Sequence, residues 1–397
     1  MSKLNLKPSR DFLRSEQIGG VILLFCVLIS LLIANSNLGN KLENMLSYEI
    51  GFHHDLIKLR HSISLWINDG LMAIFFLLVG LEIKREIIEG ELSSIKKATM
   101  PLFAALGGML VPAGIFVLFN QHTPTSGGWG IPMATDIAFA LGIMSMLGRR
   151  VPPSLIIFLA ALAIADDLGA ILVIAIFYTN QLHWDQLVYA AGIFTLLLSF
   201  NFFGVKRLIF YIVPGLFLWY FIHHSGIHAT IAGVLLALTI PTNPKKKASP
   251  LEKLEHLIVR PVTFLIMPVF ALANTNIRFE SKMIEDLTSP LGLGILFGLA
   301  IGKPVGITLF SWISVKLGLC TLPSKSTWKH LIGLGMLAGI GFTMSIFVSL
   351  LSFNEVEYQN GAKFCVLLAS LIAGLSGYLF LQLAHKKHIL NSIKHKG

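Results

Sequence analysis

Phe158-Leu-Ala-Ala-Leu-Ala-Ile-Ala-Asp-Asp-Leu-Gly-Ala170 sets two adjacent carboxylates, Asp166 and Asp167, inside an uncharged run. In a membrane span, each ionisable group costs several kcal/mol by most scales, so such residues are functional by default. Helix neighbours diverge by about 100°, and one carboxylate can face a cavity while the other meets a neighbouring helix. Two close carboxylates in a poorly solvated place resist being ionised together. The pair therefore suits protons or a hard cation in competition, and oxygen ligands favour Na+ or Li+ over soft metals. Acids bridged to Lys or Arg for packing alone are the other reading, although one acid would suffice for that.

The surrounding composition places this run in a bilayer. Of 397 residues, 54% are hydrophobic and only 13% are Asp, Glu, Lys or Arg, with a mean hydropathy of +0.74. A soluble monomer could not bury that much apolar surface and keep a charged exterior. Disorder, collagen and coiled coil are excluded by the same composition. Cys26, Cys320 and Cys365 are dispersed and odd in number, which argues against a disulfide framework or a zinc site. Uncharged stretches mark about 12 transmembrane helices, at roughly 17–40, 62–82, 99–119, 125–147, 153–178, 186–203, two within 208–244, 257–274, 291–313, 331–352 and 363–385. The first resembles a signal-peptide core but is read as retained, since no small-residue cleavage site stands out and spans follow. The expectation is an all-α polytopic membrane protein, a single transmembrane transporter domain over 1–397. The external loop at about 35–61 is the only one with room for structure of its own.

With both termini on one side, 23 of the 31 Lys and Arg residues fall on that side and 6 on the other, while Arg260 and Lys303 fall in or at spans. This is the positive-inside bias with both termini cytoplasmic, and it explains the net charge of +10 without nucleic acid. The run Pro244-Lys245-Lys246-Lys247 reads as a plain cytoplasmic loop rather than a lipid-binding patch.

The other ionisable residues within spans are Asp69, Glu82, Asp136 and Lys303. In Trp129-Gly-Ile-Pro-Met-Ala-Thr-Asp-Ile-Ala138, Pro132 removes a helix donor, while Thr135 and Asp136 are N-cap types. The pattern predicts a helix broken within the membrane and restarting at Thr135 or Asp136, its carboxylate facing the positive end of the new half-helix. A Pro kink near a surface is the plainer alternative. A second interruption is read in Gly333-Leu-Gly-Met-Leu-Ala-Gly-Ile-Gly-Phe-Thr-Met-Ser345, where close packing through small residues is the alternative. A matched pair of interrupted spans points to an inverted-repeat transporter, with units at about 99–178 and 291–385 and two discontinuous helices crossing near the midplane.

Lys303, between Gly302 and Pro304, is the lone mid-span cation and needs Asp166 or Asp167 as partner. The pair reads as a proton switch or as a structural clamp. Glu82, Lys84, Arg85 and Glu86 end the second span, and Glu255 and His256 start the ninth on the same side. They form a titrating gate or an ordinary interfacial charge belt. His224 and His228 have metal-binding spacing, but Gly226 between them makes a turn the plainer reading.

With these residues in view the chain resembles the NhaA-type bacterial sodium/proton antiporters along nearly its whole length, a family that itself exemplifies inverted repeats with broken helices. The resemblance rests on Val79-Gly-Leu-Glu-Ile-Lys-Arg-Glu86, Ala134-Thr-Asp-Ile-Ala-Phe-Ala140, Ala163-Ile-Ala-Asp-Asp-Leu-Gly-Ala170, Ser225-Gly-Ile-His-Ala-Thr230, Gly302-Lys-Pro-Val-Gly-Ile307 and Gly339-Ile-Gly-Phe-Thr-Met-Ser-Ile-Phe347. It implies Asp166 and Asp167 as carriers of Na+, Li+ and protons, with Thr135 as a nearby ligand. Asp136 and Lys303 would compensate charge at the crossed helices, Lys303 pairing with Asp166. Glu82, Arg85, Glu86, Glu255 and His256 would sense pH in a cytoplasmic funnel, and His228 would have a role in the pH response. The 35–61 loop would supply the β-hairpin of a homodimer. The chain departs from the family pattern before Pro261, where it carries Arg260 and is one residue longer.

The expected function is electrogenic, pH-regulated antiport in the bacterial inner membrane, exporting Na+ or Li+ against periplasmic protons for Na+ and pH homeostasis. No cofactor is expected beyond the transported ions, and no enzyme activity. A proton-coupled carrier of another solute would ask for basic residues or a larger polar site at the midplane, where Lys303 stands alone against three nearby acids. An intramembrane aspartyl protease using Asp136 and Asp167 would leave Asp166 and Lys303 without a duty.

Overall fold

The computed structural model describes residues 10–54, 57–179, 182–242 and 249–394. Lys3 and Lys7 of the basic tail and the Lys245–Lys247 run lie outside the described residues. Helix is present wherever a span is expected. Among the described residues, eight helices are long and apolar enough to cross a bilayer, ten if each of two bent pairs counts as one span. The other two expected spans are shorter helices, Ile209–His224 with 16 residues and Ile231–Thr239 with 9. At about 1.5 Å per residue the second is well short of a roughly 30 Å hydrocarbon core. The count of twelve thus holds for helical segments and not for full-length crossings. Uncharged length measures an apolar stretch, not how much of it is helix.

Local chemistry sets the helix ends. Ser249 and Glu252 form a capping box that starts helix Pro250–Pro261, and Ser289 caps the helix beginning at Pro290. The 35–61 loop holds a short helix, Gly39–Ser47, and then a hairpin. In that hairpin Glu49 pairs with Ser62, Ile50 with His61, His53 with Lys58 and His54 with Ile57, all antiparallel. Among the described residues, three helices contain π turns, at Trp66–Leu71, Val262–Ile266 and Gly298–Gly302. Turns of this kind cluster at functional sites, and the third delivers the chain to Lys303.

Contacts divide the chain into two compact units. The first comprises the described parts of 1–21, 94–170 and 280–397. Within it, helices Ile95–Asn120 and Pro290–Lys316 meet backbone to backbone. A Cβ on Gly107 would lie 2.2 Å from the Gly306 carbonyl oxygen, and one on Gly306 would lie 2.1 Å from that of Gly107. Only glycine at both positions permits this approach. The second unit comprises 22–93 and 171–279. Its apolar core gathers Leu81, Leu197, Tyr211, Leu218, Leu236 and Ile240, and Gly80 and Gly233 let helix Ile63–Ile88 pack closely on Ile231–Thr239.

Candidate ion-binding site

Both expected interruptions are present, and each completes the other. The first span runs as a 3-10 turn, Ser126–Met133, and becomes extended at Ala134. Helix Ile137–Met146 then starts with Asp136 as N-cap, its Oδ1 accepting the Phe139 N–H at 3.1 Å. The second span stops at Ala338, and helix Phe342–Ser352 restarts after Gly341, bent by 47°. The Asp136 N–H donates to Ile340 O at 2.6 Å, and Ser345 Oγ donates to Ile131 O at 2.6 Å. The Thr343 N–H donates to Asp136 Oδ2 at 3.1 Å, and the Thr343 hydroxyl donates to the same oxygen. Backbone groups freed by one break thus find partners on the other, a requirement for irregular chain away from water. Asp136 is 1% exposed and faces the positive ends of two half-helices.

Beside this crossing stands a fully buried ion pair. Lys303 Nζ donates to Asp166 Oδ2 at 2.6 Å and to Thr135 Oγ1 at 2.8 Å, and both charged side chains have no exposed surface. Thr135 has one hydroxyl proton and two acceptors in reach, Asp166 Oδ2 at 2.8 Å and Ala338 O at 2.9 Å. Its proton can therefore stay on the carboxylate or turn to the broken backbone. Asp166 Oδ1 is buried and has no hydrogen-bond partner among the described residues, which leaves it as an acceptor for a proton or cation. Asp167 is 3% exposed on the next position of the same helix.

Within the second unit, Arg85 joins the two groups read at the span ends. Its Nη1 pairs with Glu255 Oε1, and its Nη2 lies 3.7 Å from Glu86 Oε1. Glu86 Oε2 accepts the Glu91 N–H at 2.8 Å. Glu255 is buried, Glu82 is half-buried on the Arg85 helix, and His256 is exposed beside Glu255. His228 does not join them. It precedes helix Ile231–Thr239, with Nε2 2.7 Å from Tyr178 O. The opposite end of that helix is held by Lys84, whose Nζ donates to Leu238 O at 2.7 Å and to Ile240 O at 2.5 Å. A cation on the last carbonyls is a helix cap. Sequence reasoning misses that part for Lys84, because a Lys among other charges at a span end carries no sign of a distant partner. It also assigns Asp69 no partner. The only signal is its lone charge inside a span.

A family model described as Na+/H+ antiporter 1 matches residues 10–381. The chain belongs to the Na+/H+ antiporter 1 family. It is 62% identical over 388 residues to Na(+)/H(+) antiporter NhaA 2 of Flavobacterium johnsoniae, covering 97% of this chain and 95% of that protein. It is 51% identical to Na(+)/H(+) antiporter NhaA of Flavobacterium psychrophilum, covering 96% and 98%, and 50% identical to that of Pelagibacter ubique, with the same coverage. As a member of the Na+/H+ antiporter 1 family the chain is a transporter rather than an enzyme, and its apolar helices make it a multi-pass membrane protein.

Proposed function

We propose that this protein is a secondary active antiporter of the bacterial inner membrane that exports Na+ or Li+ in exchange for periplasmic protons. One observation carries the reading. A fully buried ammonium, Lys303, bonds Asp166 and Thr135 next to a second buried carboxylate, Asp167. A purely structural bridge would need only one acid. Open inward, the deprotonated aspartates take the cation with Thr135 as a further oxygen ligand, and the arriving charge releases the Lys303 ammonium from Asp166. Open outward, protons displace the cation and return inward on the same carboxylates. Cation and protons compete for the same lone pairs, so the cycle limits itself when the inside is acid.

Two protons per cation move one net charge, and the membrane potential then supplies about 2.3 kcal/mol per 100 mV. Asp136 and Lys303 balance charge at the crossed breaks, and 99–178 and 291–385 act as inverted repeats. The Arg85–Glu86–Glu255 group, with Glu82, His256 and, from its separate place, His228, adjusts activity to pH. Both termini are cytoplasmic, and the hairpin at 49–62 meets a second copy of the chain in a homodimer.

The test is exchange in everted vesicles with isothermal titration of Na+ and Li+ at several pH values, counting protons released. Asp167→Asn should abolish Na+-dependent proton flux. Robust residual flux, or sodium bound without proton release, would overturn the reading.

A further inference from the structure

A second buried-edge titratable cluster lies in the second unit, among residues that the exchange cycle does not use. Asp69 sits in the π turn Trp66–Leu71, just after the hairpin strand His61–Ser62. His223 comes from the last turn of helix Ile209–His224. Its Nδ1 lies 3.3 Å from Asp69 Oδ2, and its Nε2 lies 3.2 Å from His61 Nε2. His223 and Asp69 are only 12% and 19% exposed. The tautomers follow from this geometry. A proton on His223 Nδ1 faces the carboxylate, so His223 Nε2 keeps its lone pair and accepts the His61 Nε2–H.

Such a chain, His61 to His223 to Asp69, has a definite response to protons. One added proton can rest on His61 Nδ1 and leave the N–H···N bond intact. A second puts hydrogen on both facing nitrogens, destroys that bond and sets cation against cation. We propose that Asp69, His223 and His61 form a proton-operated latch, tying the hairpin and the first turns of helix Ile63–Ile88 to the end of helix Ile209–His224, and opening when both imidazoles are charged. The side chain of Trp66 continues the latch into the hairpin by donating to Ile50 O at 3.1 Å, and Trp66 stacks on Trp219, which stacks on His223.

The charged neighbours set the direction of the switch. Asp69 and Glu49 favour charge on His61, Glu49 being 3.1 Å from Arg60, while His223 and His224 oppose it. His224 spends its Nδ1 on Tyr220 O at 2.8 Å, and His228 also feels Asp69. Burial, the largest influence, and then the two neighbouring histidines hold His61 below its usual value of 6.5. A histidine held low binds its proton less well with the latch closed than with it open. The closed form is therefore fully favoured above about pH 6.5 and loses ground as pH falls below that value. This end of the helices faces outward in the orientation proposed above, so the latch would sense external acid. That assignment rests on the proposed function, whereas the following readout does not depend on transport.

The experiment is a pH titration of tryptophan emission, from pH 8 to pH 5, on the full-length protein in detergent micelles. Opening of the latch releases Trp219 from its stack on His223 and should change the emission in a step with a midpoint below pH 6.5. Trp219→Phe should remove the step. So should His61→Gln and His223→Gln, each of which keeps a hydrogen-bonding side chain and does not titrate. Asp69→Asn should move the midpoint down by about one pH unit, because the anion favouring the charged form is gone. A flat wild-type titration, or superimposable curves for the wild type and both glutamine variants, would overturn the latch.

Discussion

Asp136 Oδ2 accepts the Thr343 N–H at 3.1 Å across 207 residues of sequence, while Asp136 Oδ1 caps its own helix through Phe139. One carboxylate thus serves two helix starts, each presenting unpaired N–H groups and the positive end of a dipole. The two breaks stay registered on each other through this residue, and Thr135, one position earlier, is thereby held against Asp166 and Lys303.

Removing that double cap should cost more than an ordinary one. Loss of a single N-cap costs about 1 kcal/mol, so Asp136→Ala should cost about 2–3 kcal/mol. Asp136→Asn keeps an acceptor without the charge and should cost about half as much. Thermal unfolding of the detergent-solubilised protein reads both. Equal midpoints for Asp136→Ala and the wild type would refute the shared cap.

Lys303→Ala leaves a fully buried Asp166 carboxylate without its cation, a change that typically costs about 3–5 kcal/mol. Exchange should disappear with it. Replacing both partners by apolar groups, Lys303→Met with Asp166→Leu, should restore most of the stability and none of the transport. A double variant as unstable as Lys303→Ala alone would contradict this account.

Gly306→Ala tests the seam that carries Lys303. The added Cβ would stand 2.1 Å from the Gly107 carbonyl, so the helices must part. Overpacking of this kind costs about 1–3 kcal/mol. Because Lys303 lies one turn earlier on the same helix, exchange should fall alongside the unfolding midpoint. Full activity at reduced stability would separate the seam from the site.

Arg85 and Glu255 should couple more weakly. Glu255 is 8% exposed but Arg85 is 37% exposed, and water screens such a pair. A double-mutant cycle with Arg85→Ala and Glu255→Gln should give a coupling of about 1 kcal/mol. The pH profile of exchange should shift in either single variant while the maximal rate is largely kept. An unchanged profile in both would remove the group from pH regulation.

Much of the fold is legible in the order of the residues. The length of uncharged runs, the alternation of Lys and Arg, and Gly or Pro followed by Thr, Asp or Ser locate the helices, their expected side of the membrane and both interruptions. Each is a local property. The short helix Ile231–Thr239 shows the limit. Its apolar flanks read as span, yet they are turn, and the carbonyls at its end are held by Lys84, which is 154 residues from Leu238 in sequence. His228 shows the same limit for the site. The resemblance gives it a role in the pH response but no contact partner, and the fold sets its Nε2 2.7 Å from Tyr178 O, 50 residues away in sequence.

By itself the sequence determined that this chain lives in a bilayer and keeps a few charges there: water-to-lipid transfer acts residue by residue and leaves a one-dimensional record. Which charges meet was decided only by tertiary structure. Asp166 rather than Asp167 receives Lys303, Asp136 reaches Thr343, and His61 finds His223, because glycine seams and broken backbones bring distant segments within 3 Å or so, and hydrogen bonds form at that range and no longer one.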